Sequence, residues 1–157
     1  AWQINERHYG VLTGLNKVEM SQKIGEDKVY EFRRSWEIKP DPLSKESPYH
    51  PINIDVYKNV PKKNIPDTES LKDTYERVIK FYNEEIKNQL KNKNVLISAH
   101  GNSIRALCKY LFQLDNNLIS RLEIPTGNPL MIELNDRLEV KNCEYLDKER
   151  AKDLLVF

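Results

Sequence analysis

The chain has 157 residues, with 25 Lys or Arg against 24 Asp or Glu and a formal net charge of +1, so no global field draws it to nucleic acid or to an acidic membrane. With 39% hydrophobic and 31% charged residues, it has the composition of one soluble domain that can build a core without metal or disulfide staples. It has no apolar run of the roughly 18 residues that a membrane-spanning helix needs, and its 2 cysteines, Cys108 and Cys143, read as reduced intracellular thiols.

The opening Ala1-Trp2-Gln3-Ile4 looks like the inside of a fold, and no signal peptide follows. The expectation is that the natural chain begins before Ala1. Asn16 caps a helix from Lys17 to about Ile24, Gly25 ends it, and Asp27 to Trp36 forms another with Val29, Tyr30 and Phe32 inward. Pro40, Pro42, Pro48, Pro51, Pro61 and Pro66 then erase any helical period, so residues 37–67 read as one long ordered covering loop in which Tyr49, Ile52, Ile54, Val56 and Tyr57 can pack.

Leu71, Tyr75, Val78, Ile79, Tyr82, Ile86 and Leu90 recur at the spacing of one buried helix face, with Asp67 or Thr68 as the cap. Val95-Leu96-Ile97 is apolar without alternation, which suits a parallel strand covered on both faces. A helix with Ile104, Leu107, Cys108 and Leu111 on one stripe follows, and Cys108 reads as a buried thiol. Asp115 caps a shorter helix through Leu122. Strands are expected at Pro129–Leu134 and Arg137–Val140, around the turn Asn135-Asp136. This alternation predicts an α/β layered fold in a single domain, residues 1–157.

Three groups carry chemistry. At Ser98-Ala99-His100-Gly101-Asn102-Ser103 a strand gives way through a glycine turn to a helix, whose first N–H groups and dipole favour an anion. His100 stands where its imidazole can donate to a phosphoryl oxygen, or it is a structural residue beside a cap at Asn102. Asn5-Glu6-Arg7-His8-Tyr9-Gly10 concentrates a carboxylate, a guanidinium, an imidazole and a phenol, with Lys17 a few residues on. It suits an acid–base site or a charged loop. Arg33-Arg34 matches phosphate or carboxylate through the planar guanidinium fork, or forms a solvated helix face. With only His8, His50 and His100 and no Cys-x-x-Cys, a metal site is not expected. The glycine-rich loops of nucleotide sites are also missing.

In combination and order, Asn5-Glu6-Arg7-His8-Tyr9-Gly10, Gly14-Leu15-Asn16-Lys17, Arg33-Arg34-Ser35, Glu69-Ser70-Leu71-Lys72-Asp73-Thr74, Ala99-His100-Gly101-Asn102-Ser103 and Pro125-Thr126-Gly127 closely resemble the cofactor-dependent phosphoglycerate mutases of the histidine phosphatase superfamily. The resemblance runs from Trp2 to about Tyr145. It implies a three-layer α/β/α fold with a mainly parallel sheet, and phosphoryl transfer through a histidine primed by 2,3-bisphosphoglycerate without metal. By the same resemblance Glu6 is the general acid/base and His100 stabilises the transferring phosphoryl group. Arg7, His8, Tyr9, Lys17, Arg33, Arg34, Gly101 and Asn102 then hold the phosphoglycerate. It further implies a cytoplasmic glycolytic and gluconeogenic enzyme, a homodimer or homotetramer at full length.

The family's Arg-His-Gly nucleophile motif does not occur in these 157 residues. The chain is therefore expected to be a fragment incomplete at its N-terminus, inactive by itself, with sheet edges exposed. The C-terminal tail also reads as short for the family. The alternatives are a bisphosphoglycerate mutase or phosphatase of the same superfamily, or a truncated paralogue that binds without catalysis.

Overall fold

The computed structural model describes residues 1–151, with only the backbone of Lys17, so the expected short tail lies outside the described residues. The chain divides into two compact units, one made of Ala1–Trp2 and Arg7–Thr74, the other of Gln3–Glu6 and the chain from Tyr75 onward.

In the first unit, helix α1 spans Lys17–Ile24. Asn16 Oδ1 accepts from the Glu19 N–H at 3.0 Å and the Glu19 carboxylate accepts from the Asn16 N–H at 2.8 Å, which satisfies two donors that a helix start otherwise strands. Gly25, at φ +83°, separates it from α2, Glu26–Arg34. Acidic Glu26 and Asp27 open α2 and Arg33 and Arg34 close it, each sign at the end the helix dipole favours. Val29 is buried, but Tyr30, expected inward, is 68% exposed. Successive helical residues point about 100° apart, and Val29 takes the inward direction.

Residues 37–67 form short 3₁₀ turns at Pro51–Asn53, Asp55–Tyr57 and Lys62–Asn64. Polar bonds pin the segment. Val11 N–H donates to Asp41 O at 3.0 Å, Leu43 N–H to Asp67 O at 2.9 Å, and Thr68 Oγ1 to Pro40 O at 2.7 Å. Tyr49, Ile54 and Val56, expected to pack, are exposed. Ile52 and Tyr57 are half-buried, and local backbone bonds, such as Ile54 N–H to Pro51 O at 3.1 Å, hold the turns. Gly10, at φ +54°, lies against this segment, and a Cβ there would sit 2.0 Å from Asp41 O, so no other residue fits.

Helix α3 spans Leu71–Phe81 and continues through a π turn, Tyr82–Ile86, into α4, Lys87–Gln89. Its cap is Ser70, where the Asp73 N–H donates to Ser70 Oγ at 3.1 Å and the Ser70 N–H to Asp73 Oδ2 at 2.8 Å. The expected caps are used elsewhere: Thr68 binds Pro40 and Asp67 binds His50. Leu71, Val78, Tyr82 and Ile86 are buried as their spacing predicts.

The second unit continues with α5, Gly101–Leu111, and α6, Asn116–Arg121. Asp115 caps α6 by accepting from the Asn117 and Leu118 N–H groups at 2.8 and 2.7 Å. Ile119 and Leu122 are fully buried. Strands β1, Leu130–Leu134, and β2, Val140–Tyr145, pair antiparallel. The second strand begins later than expected because Asn135 Oδ1 accepts from the Arg137 and Glu139 N–H groups at 2.9 and 3.0 Å. That leaves residues 135–139 in the turn.

The chain is thus α/β, and β1–β2 is the sheet among the described residues. Val95-Leu96-Ile97 is not a strand there. Val95, Ile97 and Ala99 are half-buried in alternation with exposed Leu96, Ser98 and His100. Ile97 and Ala99 face an apolar cluster with Ile4, Val78 and Ile104, while Leu96 is 92% exposed. A strand is defined by a neighbour's ladder, and among the described residues none bonds to this segment.

Candidate functional site

In the second unit, the short segment Gln3–Glu6 is held by its backbone. Arg77, on α3, donates to Gln3 O at 2.6 Å, Asn5 O at 3.0 Å and Glu6 O at 3.2 Å. Ser103 Oγ donates to Asn5 O at 2.7 Å. This clamp delivers the Glu6 carboxylate to the start of α5. There Asn102 Nδ2 donates to Glu6 Oε1 at 2.8 Å, and the Asn102 backbone N–H faces Oε2 at 3.5 Å. Both contacts come from the first turn of α5, where donors are unpaired within the helix itself. Of the sequence-predicted residues, the structure therefore brings Glu6 and Asn102 together.

His100 is the N-cap residue of α5, with an extended backbone and no side-chain capping bond, and it is exposed. Gly101 opens the helix. A Cβ added to it would meet nothing within 4 Å, and its φ is not positive. The turn into α5 does not itself demand a glycine. Gly101 leaves open space beside the first N–H groups of α5.

In the first unit, Arg7 is buried, with Nε donating to Glu69 O at 2.8 Å and Nη2 to Phe32 O at 2.6 Å. Its guanidinium also lies 4.9 Å from the centre of the Tyr9 ring. Phe32 precedes Arg33 and Arg34, so Arg7 ties the 7–9 segment to the last turn of α2. Arg33 is exposed and Arg34 half-buried. Lys17 is the first residue of α1, and its side chain lies outside the described residues.

His8 is buried. Its backbone N–H donates to Glu69 Oε2 at 2.9 Å, and its Nδ1 accepts from the Gly10 N–H at 3.0 Å. With Nδ1 accepting, the neutral ring carries its proton on Nε2, which is buried without a hydrogen-bond partner among the described residues. Burial, and then the neighbouring His50 ring at 5.7 Å, push the His8 pKa below the usual imidazole range. Glu69 and Asp67 oppose that shift. His50 is fully buried, with Nε2 3.0 Å from Asp67 Oδ1 and Nδ1 accepting from the Ile52 N–H at 3.1 Å.

Sequence reasoning missed Arg77, Ser103 and His50 as organisers of these segments. For Arg77 a signal existed, because it adjoins Val78 on the buried stripe of α3, where a charge needs a partner. His50 carried no local signal, since its partner Asp67 lies far along the chain. Both cysteines are unbridged. Burial pushes the Cys108 thiol up to about 12, which fits an inert core residue. Among the described residues, no cluster of His, Cys, Asp and Glu could hold a metal ion, and no helix is long and apolar enough to cross a membrane.

Comparison with known proteins gives this chain a family. The model of the histidine phosphatase superfamily (branch 1) matches residues 49–141. A 2,3-bisphosphoglycerate-dependent phosphoglycerate mutase of Pelagibacter ubique (strain HTCC1062) is 71% identical over 158 aligned positions, covering 100% of this chain and 66% of that protein. Proteins of the same name from Xylella fastidiosa (strain M12) and Borreliella burgdorferi (strain ZS7) are 49% and 48% identical, covering 93% and 94% of this chain and 59% and 60% of their own lengths. The chain thus spans less than two thirds of the length of these curated relatives.

Proposed function

The chain belongs to the histidine phosphatase superfamily, and from that premise we propose that it supplies the acid–base and anion-binding half of a 2,3-bisphosphoglycerate-dependent phosphoglycerate mutase. The reaction moves a phosphoryl group between the 2- and 3-hydroxyls of glycerate. The phosphoryl-carrying histidine is expected outside these 157 residues, in an Arg-His-Gly segment that this sequence lacks. The intact protein is then a three-layer α/β/α enzyme with a mainly parallel sheet, to which residues 95–99 contribute a strand. It works in the cytoplasm as a homodimer or homotetramer, in glycolysis and gluconeogenesis.

The observation that carries this reading is the Glu6 carboxylate, clamped through its backbone by Arg77 and met at the start of α5 by Asn102. A general acid/base must hold one position within hydrogen-bond reach of the reacting hydroxyl. Glu6 takes the proton of the glycerate hydroxyl that gains the phosphoryl group and returns it to the hydroxyl that loses one. His100, exposed at the N-cap, donates to a phosphoryl oxygen, and the space beside Gly101 admits that group to the first N–H groups of α5. Such transfers depend mostly on positioning and on fixed positive charge.

Arg33, Arg34 and Lys17 supply cations for the substrate's phosphate and carboxylate. Arg7, His8 and Tyr9 carry the same binding segment, with Arg7 fixing it to the end of α2. Guanidinium donors are the chemistry that the highly anionic 2,3-bisphosphoglycerate takes, and it supplies the priming phosphoryl group when bound. No metal is required by this reading.

The test is a primed assay on the intact protein from its natural source. We expect interconversion of 2- and 3-phosphoglycerate that depends on added 2,3-bisphosphoglycerate and outpaces release of inorganic phosphate. Phosphate release without interconversion would assign a phosphatase instead. A protein that binds phosphoglycerate without either activity would be a non-catalytic paralogue.

A further inference from the structure

We propose that Arg105 is a positioning residue for the Glu6 carboxylate, acting through the side chain of Asn102. This rests on the reading of Glu6 as the acid/base. Arg105 lies one turn after Asn102 on α5 and is 6% exposed. Its Nη1 donates to Asn102 Oδ1 at 2.9 Å, and its Nη2 to Ile119 O, in α6, at 2.5 Å.

The argument turns on the two ends of a carboxamide. One end only accepts and the other only donates. Had Asn102 turned its oxygen toward Glu6, acceptor would face acceptor and the contact would repel. Arg105 removes that alternative, because a guanidinium has donors and no acceptor and stays charged at all accessible pH. Its bond must go to the amide oxygen, which leaves the NH₂ group for Glu6 Oε1 at 2.8 Å. The tie to Ile119 O fixes the guanidinium in turn, so the amide orientation is set by the packing of α5 on α6.

The result is a charged relay of guanidinium, amide and carboxylate in which each bond polarises the next. Arg77 holds the backbone of Glu6 and Arg105 governs its side chain. A misplacement of about 1 Å at a reacting group can cost about 10²-fold in rate, and removal of Arg105 is expected to loosen the Asn102 amide that meets Glu6.

The experiment compares Arg105→Met and Arg105→Lys in the intact protein. Arg105→Met is expected to lower kcat by about 10²-fold, with KM for monophosphoglycerate changed by a smaller factor, because Arg105 itself is assigned no substrate contact and acts only through Asn102. Arg105→Lys retains a donor for the amide oxygen and is expected to recover at least about 10-fold of that loss. In a Glu6→Gln background, Arg105→Met is expected to have almost no further effect on kcat, since residues that act as one unit are not additive. Additive losses, or a loss confined to KM, would overturn the proposal.

The Asn102 side-chain amide resonances give a readout that needs no turnover. Glu6→Gln and each Arg105 variant are expected to displace them, and unchanged resonances in Arg105→Met would also overturn the proposal. If the wild-type protein shows no mutase turnover, the functional reading fails, and the amide resonances alone decide whether Arg105 orients Asn102 toward Glu6.

Discussion

His8 carries a conflict that the fold resolves in favour of the neutral ring. Its Nδ1 is committed to the Gly10 N–H, its Nε2 is buried, and His50 lies beside it. Burial first, and the proximity of His50 second, lower its pKa, while Glu69 and Asp67 pull the other way. The unfolded chain has an ordinary imidazole near pH ~6.5 and takes up a proton before the folded chain does. Stability from this group is therefore complete above that pH and is lost as pH falls below it. We expect the urea midpoint to drop between pH 7.5 and 5.5, and to drop less in His8→Asn. Equal drops in both would remove His8 as the cause.

The same segment marks the limit of reading by residue type. Cys108 was legible, because a thiol on a helix stripe shares the burial of its neighbours, and it is 1% exposed. The carbonyl partners of Arg7 were not: its Nε and Nη2 donate to Glu69 O and Phe32 O. Neither carbonyl can be assigned from local spacing, because both lie far along the chain.

At the scale of elements, local chemistry was readable wherever the partner is close in sequence. Asn16 and Asp115 cap the helices that follow them, since a cap acts over three residues. The hydrophobic stripe from Leu71 to Ile86 held, but the π turn at Tyr82–Ile86 leaves no mark in composition. The α3 cap fell to Ser70 because Asp67 and Thr68 have distant partners. Residues 95–97 expose the opposite problem. Apolar sequence can specify a strand, but only a neighbour can make one. With Leu96 92% exposed, this segment offers unpaired backbone and an apolar side chain to any second strand. We expect the 157-residue chain made alone to self-associate in sedimentation velocity, and Leu96→Lys to reduce that association. A monodisperse monomer that unfolds cooperatively would contradict this.

At the scale of the molecule, the account joins two kinds of information. Family membership rests on the match over residues 49–141, while the proposed chemistry rests on the Gln3–Glu6 segment and α5 of the second unit. Motif order made the family legible from sequence because each motif keeps a reacting group at a fixed place in the chain. The geometry adds how Glu6 is held: by Arg77 through the backbone and by Asn102 at the carboxylate. The most direct test of the central claim is kcat for the primed mutase reaction of the intact protein carrying Glu6→Gln. Loss of a general acid/base costs about 10²–10⁴-fold. We predict a fall in that range with monophosphoglycerate affinity retained within a few fold. Turnover within about threefold of wild type would contradict the assignment of Glu6 and, with it, the chemistry proposed for this chain.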